Sequence, residues 1–305
     1  MADPDALVVC VPNFSEGRRR DVIDAICDAL AAEPGAQLVY RQADVEHHRL
    51  DTTVLGDPDA ARRSALAGAA KAVELIDMSQ HRGGHPRMGA ADVIPFVPLS
   101  NISMEEVVEL ARAFAKELAE TLEIPVYLYD RAALSPHRAS LAEVRRGEFE
   151  GLRDAVARGE RLPDFGPHQL GTAGATAVGA RKPLVAFNLY LDGTEDAAKA
   201  IASAIRESSG GLPAVRAIGF GVPERGCVTV SMNLVDFEVT SPRAAFDAVE
   251  ALAAGLGMRV LSSEIVGLIP GAALADGDAE HVRLEGFDEG SQVLERLVSD
   301  EGGRA

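Results

Sequence analysis

Tryptophan is absent from the chain, and cysteine is scarce: Cys10, Cys27 and Cys227 are the only three, and no two form a C-x-x-C pair. An odd number of scattered thiols offers no disulfide framework, so they are expected to be reduced core residues of a cytoplasmic protein. Long apolar runs are missing as well. None reaches the roughly 18–20 residues that a membrane span needs. The N-terminus, Met1-Ala2-Asp3-Pro4-Asp5, lacks a basic region, so no secretory leader is expected there. Positive charge is in short supply: 30 Lys and Arg stand against 47 Asp and Glu, for a net charge of −17. Such a surface repels phosphates, no basic aromatic stripe offsets it, and nucleic acid is excluded as a partner. Against this acidic average, a local cluster of arginine and histidine stands out.

What is present suits a globular protein. The chain has 305 residues, 47 % hydrophobic and 25 % charged, enough for one large domain or two ordinary ones. Ala6–Val11 is a strand-type run, and Glu16–Ala32 has helical spacing with Val22, Ile23, Ile26, Cys27 and Leu30 on one face. Strands are predicted over 37–40 and 52–55, a helix over 57–78, a strand over 90–97, a helix over 103–122 and a strand over 126–129. Residues 131–182 are rich in glycine and proline; 142–158 is predicted helical and 162–180 loop-like. Strand, helix, two strands, helix and strand then recur over 183–191, 194–208, 214–220, 227–234, 241–256 and 258–261. Residues 236–239 are expected to extend the fifth of these segments' preceding strand, and 290–298 to form a short helix. Each half reads βαββαβ, the split βαβ order of a ferredoxin-like unit. The expected fold is therefore α+β: two similar ferredoxin-like subdomains, residues 1–180 and 181–305, with a ligand cleft between them.

Four patches carry chemistry. The densest is His81-Arg82-Gly83-Gly84-His85-Pro86-Arg87-Met88-Gly89-Ala90-Ala91-Asp92. Glycines there permit close backbone approach, Pro86 stiffens the chain beside His85, and an imidazole next to a guanidinium suits proton transfer near a carboxylate. A surface loop with incidental charges is the bland alternative. His81 and His85 have the H-x3-H spacing of metal ligands, but Gly83, Gly84 and Pro86 argue against a helix and no third ligand completes a set, so no metal is expected. The second patch, Asp44-Val45-Glu46-His47-His48-Arg49, sits at a turn between strands and offers acids that orient a histidine, or simply a solvated hairpin tip. In the third, Val11–Gly17, Asn13 and Ser15 either cap a helix or face an anionic group. The fourth, Pro163–Pro167 with Gly174–Lys182, matches neither a dinucleotide nor a P-loop pattern. Its small residues suit a flat ring lying against backbone, or an interdomain linker.

Together these stretches resemble the glutamate formiminotransferase family. The matching segments are Cys10–Gly17, Ile76–Ser79, His85–Ala90, Asp92–Pro98, Pro125–Tyr129, Pro163–Pro167, Gly174–Ala177, Gly179–Lys182, Ala186–Asn188 and Val266–Leu268, in the family's order. The resemblance implies two similar α+β subdomains, a homodimer and a folate-binding channel between the subdomains. It implies transfer of the formimino group from N-formimino-L-glutamate to N5 of tetrahydrofolate as cosubstrate, a step of histidine degradation, by the transferase part alone with no cyclodeaminase domain fused. The family's catalytic histidine falls on His85. Its folate loop falls on Gly166, Pro167, His168, Gln169, Leu170, Gly171, Thr172, Ala173 and Gly174, with Thr176 beyond.

Within that scheme His85 is the general acid and base, and Asp44 or Glu46 its orienting acid. Arg49 and Arg87 are the expected carboxylate holders, with Asn13, Ser15 and His48 completing the substrate set. Three departures bear on the donor and the folate wall: His48 stands where the family has Asn, Leu50-Asp51-Thr52 places an acid in an apolar strand position, and Ala173 replaces an aromatic in a loop one residue short. The alternatives are a folate enzyme using formiminoglycine or 5-formyltetrahydrofolate, and a non-catalytic folate-binding paralogue.

Overall fold

Leu7–Cys10 forms β1, and after Val11-Pro12 the chain resumes as β2 (Asn13–Phe14). Both lie between the same two neighbours, so they are one strand broken at Pro12, which has no N–H for a ladder. The Pro12 carbonyl instead accepts from the N–H and hydroxyl of Thr52 at 3.1 and 2.6 Å. These features belong to a computed structural model that describes residues 3–299. Met1 and Ala2, part of the segment read for a leader, and residues 300–305 lie outside the described residues.

Two units divide the chain, Met1–Arg181 and Lys182–Ala305. In the first, α1 (Arg20–Ala31) buries Val22, Ile26, Cys27 and Leu30, as their spacing predicts. It begins later than the apolar pattern because Glu16 folds its carboxylate over the next three residues. A hairpin of β3 (Ala36–Asp44) and β4 (Arg49–Gly56) follows. Helix α2 (Pro58–Leu75) is capped by Asp57, which takes the N–H groups of Asp59 and Ala60, both at 2.9 Å. After β5 (Ala91–Ser100), α3 (Met104–Leu122) starts with a reciprocal capping box of Ser103 and Glu106, an arrangement contributing about 1 kcal/mol.

The unit ends with β6 (Val126–Asp130), two short helices, α4 (Leu141–Val144) and α5 (Glu148–Ala157), and β7 (Thr176–Ala180). Across the sheet the strands run β3, β4, β1/β2, β5, β7, β6. The first four are antiparallel in ferredoxin-like order; β7 lies parallel to both β5 and β6. β7 corrects the expectation of a loop over 162–180. Its Thr-Ala-Val-Gly-Ala sequence has little strand propensity of its own, and burial between two strands overrides it.

The second unit has β8 (Val185–Leu191), α6 (Glu195–Ile205), β9 (Val215–Val222), β10 (Cys227–Leu234), α7 (Pro242–Gly255) and β11 (Val260–Val266). Its antiparallel sheet runs β11, β8, β10, β9 around a core that includes Phe187, Ile201, Val230 and Phe246. Residues 236–239 turn instead of extending β10, with the Thr240 N–H returning to the Asp236 carbonyl at 3.1 Å. Short helices α8 (Asp278–His281), α9 (Glu289–Gln292) and α10 (Leu294–Ser299) follow. The fold is α+β, with a ferredoxin-like core in each unit. Among the described residues, no helix is long and apolar enough to cross a membrane.

Candidate active site

The β3–β4 turn folds back over the entrance to α1. Gly17 allows it: a Cβ there would stand 2.0 Å from the Asp44 carbonyl oxygen and 2.6 Å from the Arg49 nitrogen. Asp44 closes the turn, its Oδ1 accepting from the His47 backbone N–H at 2.8 Å and its Oδ2 meeting His47 Nδ1 at 2.7 Å. That backbone N–H, with the ring, holds the Asp44 carboxyl below its usual range. The Glu46 side chain is exposed, while its carbonyl accepts from the Gly84 N–H at 3.4 Å. Neither acid bonds the His85 ring. His47 does touch it, edge to face, at 6.4 Å between ring centroids.

Glu16 is fully buried beneath this turn. Burial opposes its ionisation, but the Arg19 and Arg18 N–H groups and the Arg19 side chain outweigh it and lower its pKa. The charged carboxylate accepts from His48 Nε2–H at 3.1 Å, which leaves His48 Nδ1 as a buried acceptor with no partner. His48 holds a left-handed backbone, φ 53°, and stacks on His81 at 4.2 Å.

Asp92, the second residue of β5, is wholly buried and organises the centre of the site. Its Oδ1 accepts from the Met88 N–H at 2.7 Å; its Oδ2 accepts from Arg49 Nη1 at 3.1 Å and from Arg145 Nη2. Burial would raise its pKa, yet Arg145 and Arg49 prevail and keep it low. Arg49 spends its other donors on Asp51 Oδ1, at 3.0 Å, and on Asn13 Oδ1.

Arg49 Nη1 also lies 3.1 Å from His85 Nδ1, while that same ring nitrogen lies 2.6 Å from the Pro86 carbonyl oxygen. One neutral nitrogen cannot both accept from a guanidinium and donate to a carbonyl. The shorter contact is satisfied only by an Nδ1–H donating to Pro86, with Arg49 as a cationic neighbour. Nε2 then carries the lone pair, and it has no hydrogen-bond partner among the described residues. Burial, followed by the charges of Arg49 and Arg145, pushes the His85 pKa down to about 4. The ring is therefore neutral near pH 7.

Arg87 is committed elsewhere. Its Nη1 reaches Glu148 at 2.7 Å and Glu150 at 2.8 Å, and its Nη2 reaches Glu150 at 2.7 Å. With the Phe149 N–H on the Arg87 carbonyl at 2.9 Å, these bonds tie the start of α5 to the His85 loop. The Arg87 side chain holds Glu150 at about 2. His81, pushed to about 4 by burial, meets the His48 carbonyl at 3.1 Å.

Ser15 and Thr176 brace backbone. The Ser15 hydroxyl donates to the Gly89 carbonyl at 2.8 Å, and the Thr176 hydroxyl to the Ala91 carbonyl at 2.7 Å. Between them, Ala90 N–H bonds the Ala173 carbonyl at 2.8 Å, Ala175 N–H bonds the Met88 carbonyl at 3.0 Å, and Met78 N–H bonds the Thr172 carbonyl at 2.8 Å. Gly89 and Gly174 pair across this seam; Gly174 has φ +74°, and a Cβ on it would lie 2.3 Å from the Met88 oxygen. The expected folate loop thus splits. Its end, residues 172–174, is stitched beside the His85 segment; Gly166, Pro167, His168 and Gln169 are exposed, Leu170 is buried, and Gly171 accepts from the Gly174 N–H at 3.1 Å.

Sequence reasoning passed over Asp92, Glu16, Glu150 and Arg145 as site residues. Asp92 had a signal, an acid inside an apolar strand that must find a partner once buried. Arg145, in a segment of weak pattern, had none. Among the described residues, no group of three or more His, Cys, Asp or Glu is placed to hold a metal ion.

Two family models match this chain: "Formiminotransferase domain, N-terminal subdomain" over residues 7–181, and "Formiminotransferase domain" over residues 186–289. The glutamate formimidoyltransferase of Thermoplasma acidophilum is 45 % identical over 296 residues, covering 96 % of this chain and 97 % of that protein. That of Streptococcus pyogenes serotype M1 is 41 % identical over 291 residues, covering 95 % and 97 %. The formimidoyltransferase-cyclodeaminase of Mus musculus is 42 % identical over 327 aligned residues, which cover 97 % of this chain and 60 % of the mouse protein. With both subdomains matched and identity above two residues in five along nearly its whole length, the chain belongs to the formiminotransferase family of transferase enzymes.

Proposed function

We propose that this enzyme moves the formimino group of N-formimino-L-glutamate to N5 of tetrahydrofolate, with His85 as general acid and base. The observation that carries the reading is the state of His85: a neutral ring, its Nδ1–H turned to the Pro86 carbonyl and its Nε2 without a partner. N5 attacks the formimino carbon and forms a C–N bond, and the cationic nitrogen must shed its proton. Nε2 takes that proton and returns it to the glutamate nitrogen as the old C–N bond breaks. Glutamate and 5-formiminotetrahydrofolate leave. A low pKa makes the imidazolium a strong acid toward the departing amine.

The contacts support the remaining roles. Asp44 acts on His85 through the ring of His47, and Glu46 supports the loop through its carbonyl. Asn13, His48 and Arg49 form the substrate side, with Ser15 and Arg87 as supports of its backbone and loop. Residues 166–174 and Thr176 serve the folate, their last residues running beside the His85 segment. Family resemblance adds a homodimer, and the scarce, unpaired cysteines support a cytoplasmic setting.

The test is a spectral assay of the purified protein with both substrates. Appearance of 5-formiminotetrahydrofolate, abolished in His85→Ala with tetrahydrofolate affinity retained, is the expected result. Turnover of formiminoglycine or 5-formyltetrahydrofolate alone would reassign the donor. Calorimetry without a tetrahydrofolate signal would overturn the folate reading.

A further inference from the structure

We propose that Arg145 recognises a carboxylate of the donor substrate, with Asp92 holding its guanidinium in place. This rests on the formimino-transfer reading, in which the donor is an amino-acid derivative carrying carboxylates. The case starts from the three arginines of the site. Arg87 has both terminal nitrogens occupied by Glu148 and Glu150. Arg49 is engaged with Asp92, Asp51 and Asn13. The Arg145 side chain makes one hydrogen bond among the described residues, from Nη2 to Asp92, and its Nε is buried with no partner there.

A buried guanidinium N–H without an acceptor is a state that an arriving anion relieves. The side chain is only 11 % exposed, so a carboxylate reaching it leaves most of its water behind, where a charge-assisted bond is strongest. Arg49 has a second carboxylate in Asp51, at 3.0 Å, whereas Arg145 has Asp92 alone among the described residues and shares its Oδ2 with Arg49, so Arg145 is the less fully neutralised of the two. The position is fixed from two sides: Asp92 pins the head group, and the Phe149 N–H bond to the Arg87 carbonyl ties the following turn to the His85 loop. Arg49 bridges Asp92 and His85, so a carboxylate on Arg145 would stand one residue removed from the base.

The experiment uses the whole protein and calorimetric titration with L-glutamate, N-formimino-L-glutamate and tetrahydrofolate in turn. In Arg145→Gln, affinity for both glutamate ligands should fall by about tenfold or more, equal to about 1.4 kcal/mol. Tetrahydrofolate affinity should hold, which also shows the variant folded, and Arg145→Lys should recover part of the loss. In steady state the donor KM should rise while kcat changes little. Unchanged glutamate affinity, or a loss confined to tetrahydrofolate, would overturn the assignment. A wild-type protein that binds neither glutamate ligand would sink the formimino-transfer reading itself, and the assignment with it.

Discussion

Arg49 places Nη1 3.1 Å from Nδ1 of His85, so a fixed positive charge stands against the ring that must hold and release a proton. Like charge and burial act in the same direction here, and both favour the neutral imidazole. The base is thereby kept available well below the pH at which a free histidine would be protonated.

The acid limb of kcat/KM should accordingly fall near pH 4 and not near the ordinary histidine value of about 6.5. Replacing Arg49 with Gln removes a cation and should move the limb upward, while burial stops it short of that ordinary value. Initial rates of donor turnover against pH measure both. A limb at the same pH in the two proteins would mean that the Arg49 charge does not act on His85.

Stability should carry the same signature. His81 and His85 are both depressed to about 4 in the folded chain. Between about 6.5 and about 4 the unfolded chain binds protons that these rings refuse, so stability falls as pH falls through that window and is flat above it. Urea midpoints across the window should decline in the wild type. In His81→Gln the decline should be shallower, because one of the depressed rings is gone, while His85 and His48, the latter also lowered by burial, remain. Parallel curves would assign the slope to other groups.

Asp92→Asn should destabilise the first unit by about 3 kcal/mol, because it strips the counter-charge from two largely buried guanidinium groups. The amide oxygen still accepts from the Met88 N–H, while the amide nitrogen, a donor, then faces both guanidinium groups, so the loss combines the missing charge with the missing acceptor. Chemical denaturation reads the cost. A change near zero would show that water or Asp51 serves the two arginines adequately.

Gly174→Ala tests the seam between the loop end and the His85 segment. The new methyl would lie 2.3 Å from the Met88 oxygen on a residue held at φ +74°. The backbone must move, at a cost of about 1–3 kcal/mol. Tetrahydrofolate KM should rise more than donor KM, since the displaced residues belong to the loop assigned to the folate. An equal rise in both would place the loop's influence on His85 instead.

Much of this architecture was legible beforehand, and particular residues show why. Val22, Ile26 and Leu30 recur at helical spacing, so α1 could be read without its neighbours. Ser103 and Glu106 announce the start of α3 by local chemistry alone. β7 was not legible, since alanine and glycine become strand only because β5 and β6 stand on either side. His85 was recognisable from its glycine-rich surroundings and its place in an ordered set of family segments. Its partners were not, and the acids nearest in the pattern, Asp44 and Glu46, bond elsewhere.

By itself, then, the sequence determined the βαββαβ order of each half, the family, and the loop in which the reactive histidine lies. Those features rest on periodicity, capping and contiguous motifs, all of which act over a few residues. The tertiary structure alone decided which charges meet at His85. Arg49, Asp92 and Arg145 are separated by 43 and 53 residues along the chain, and their contacts exist only because β4, β5 and the turn after α4 converge on one buried carboxylate.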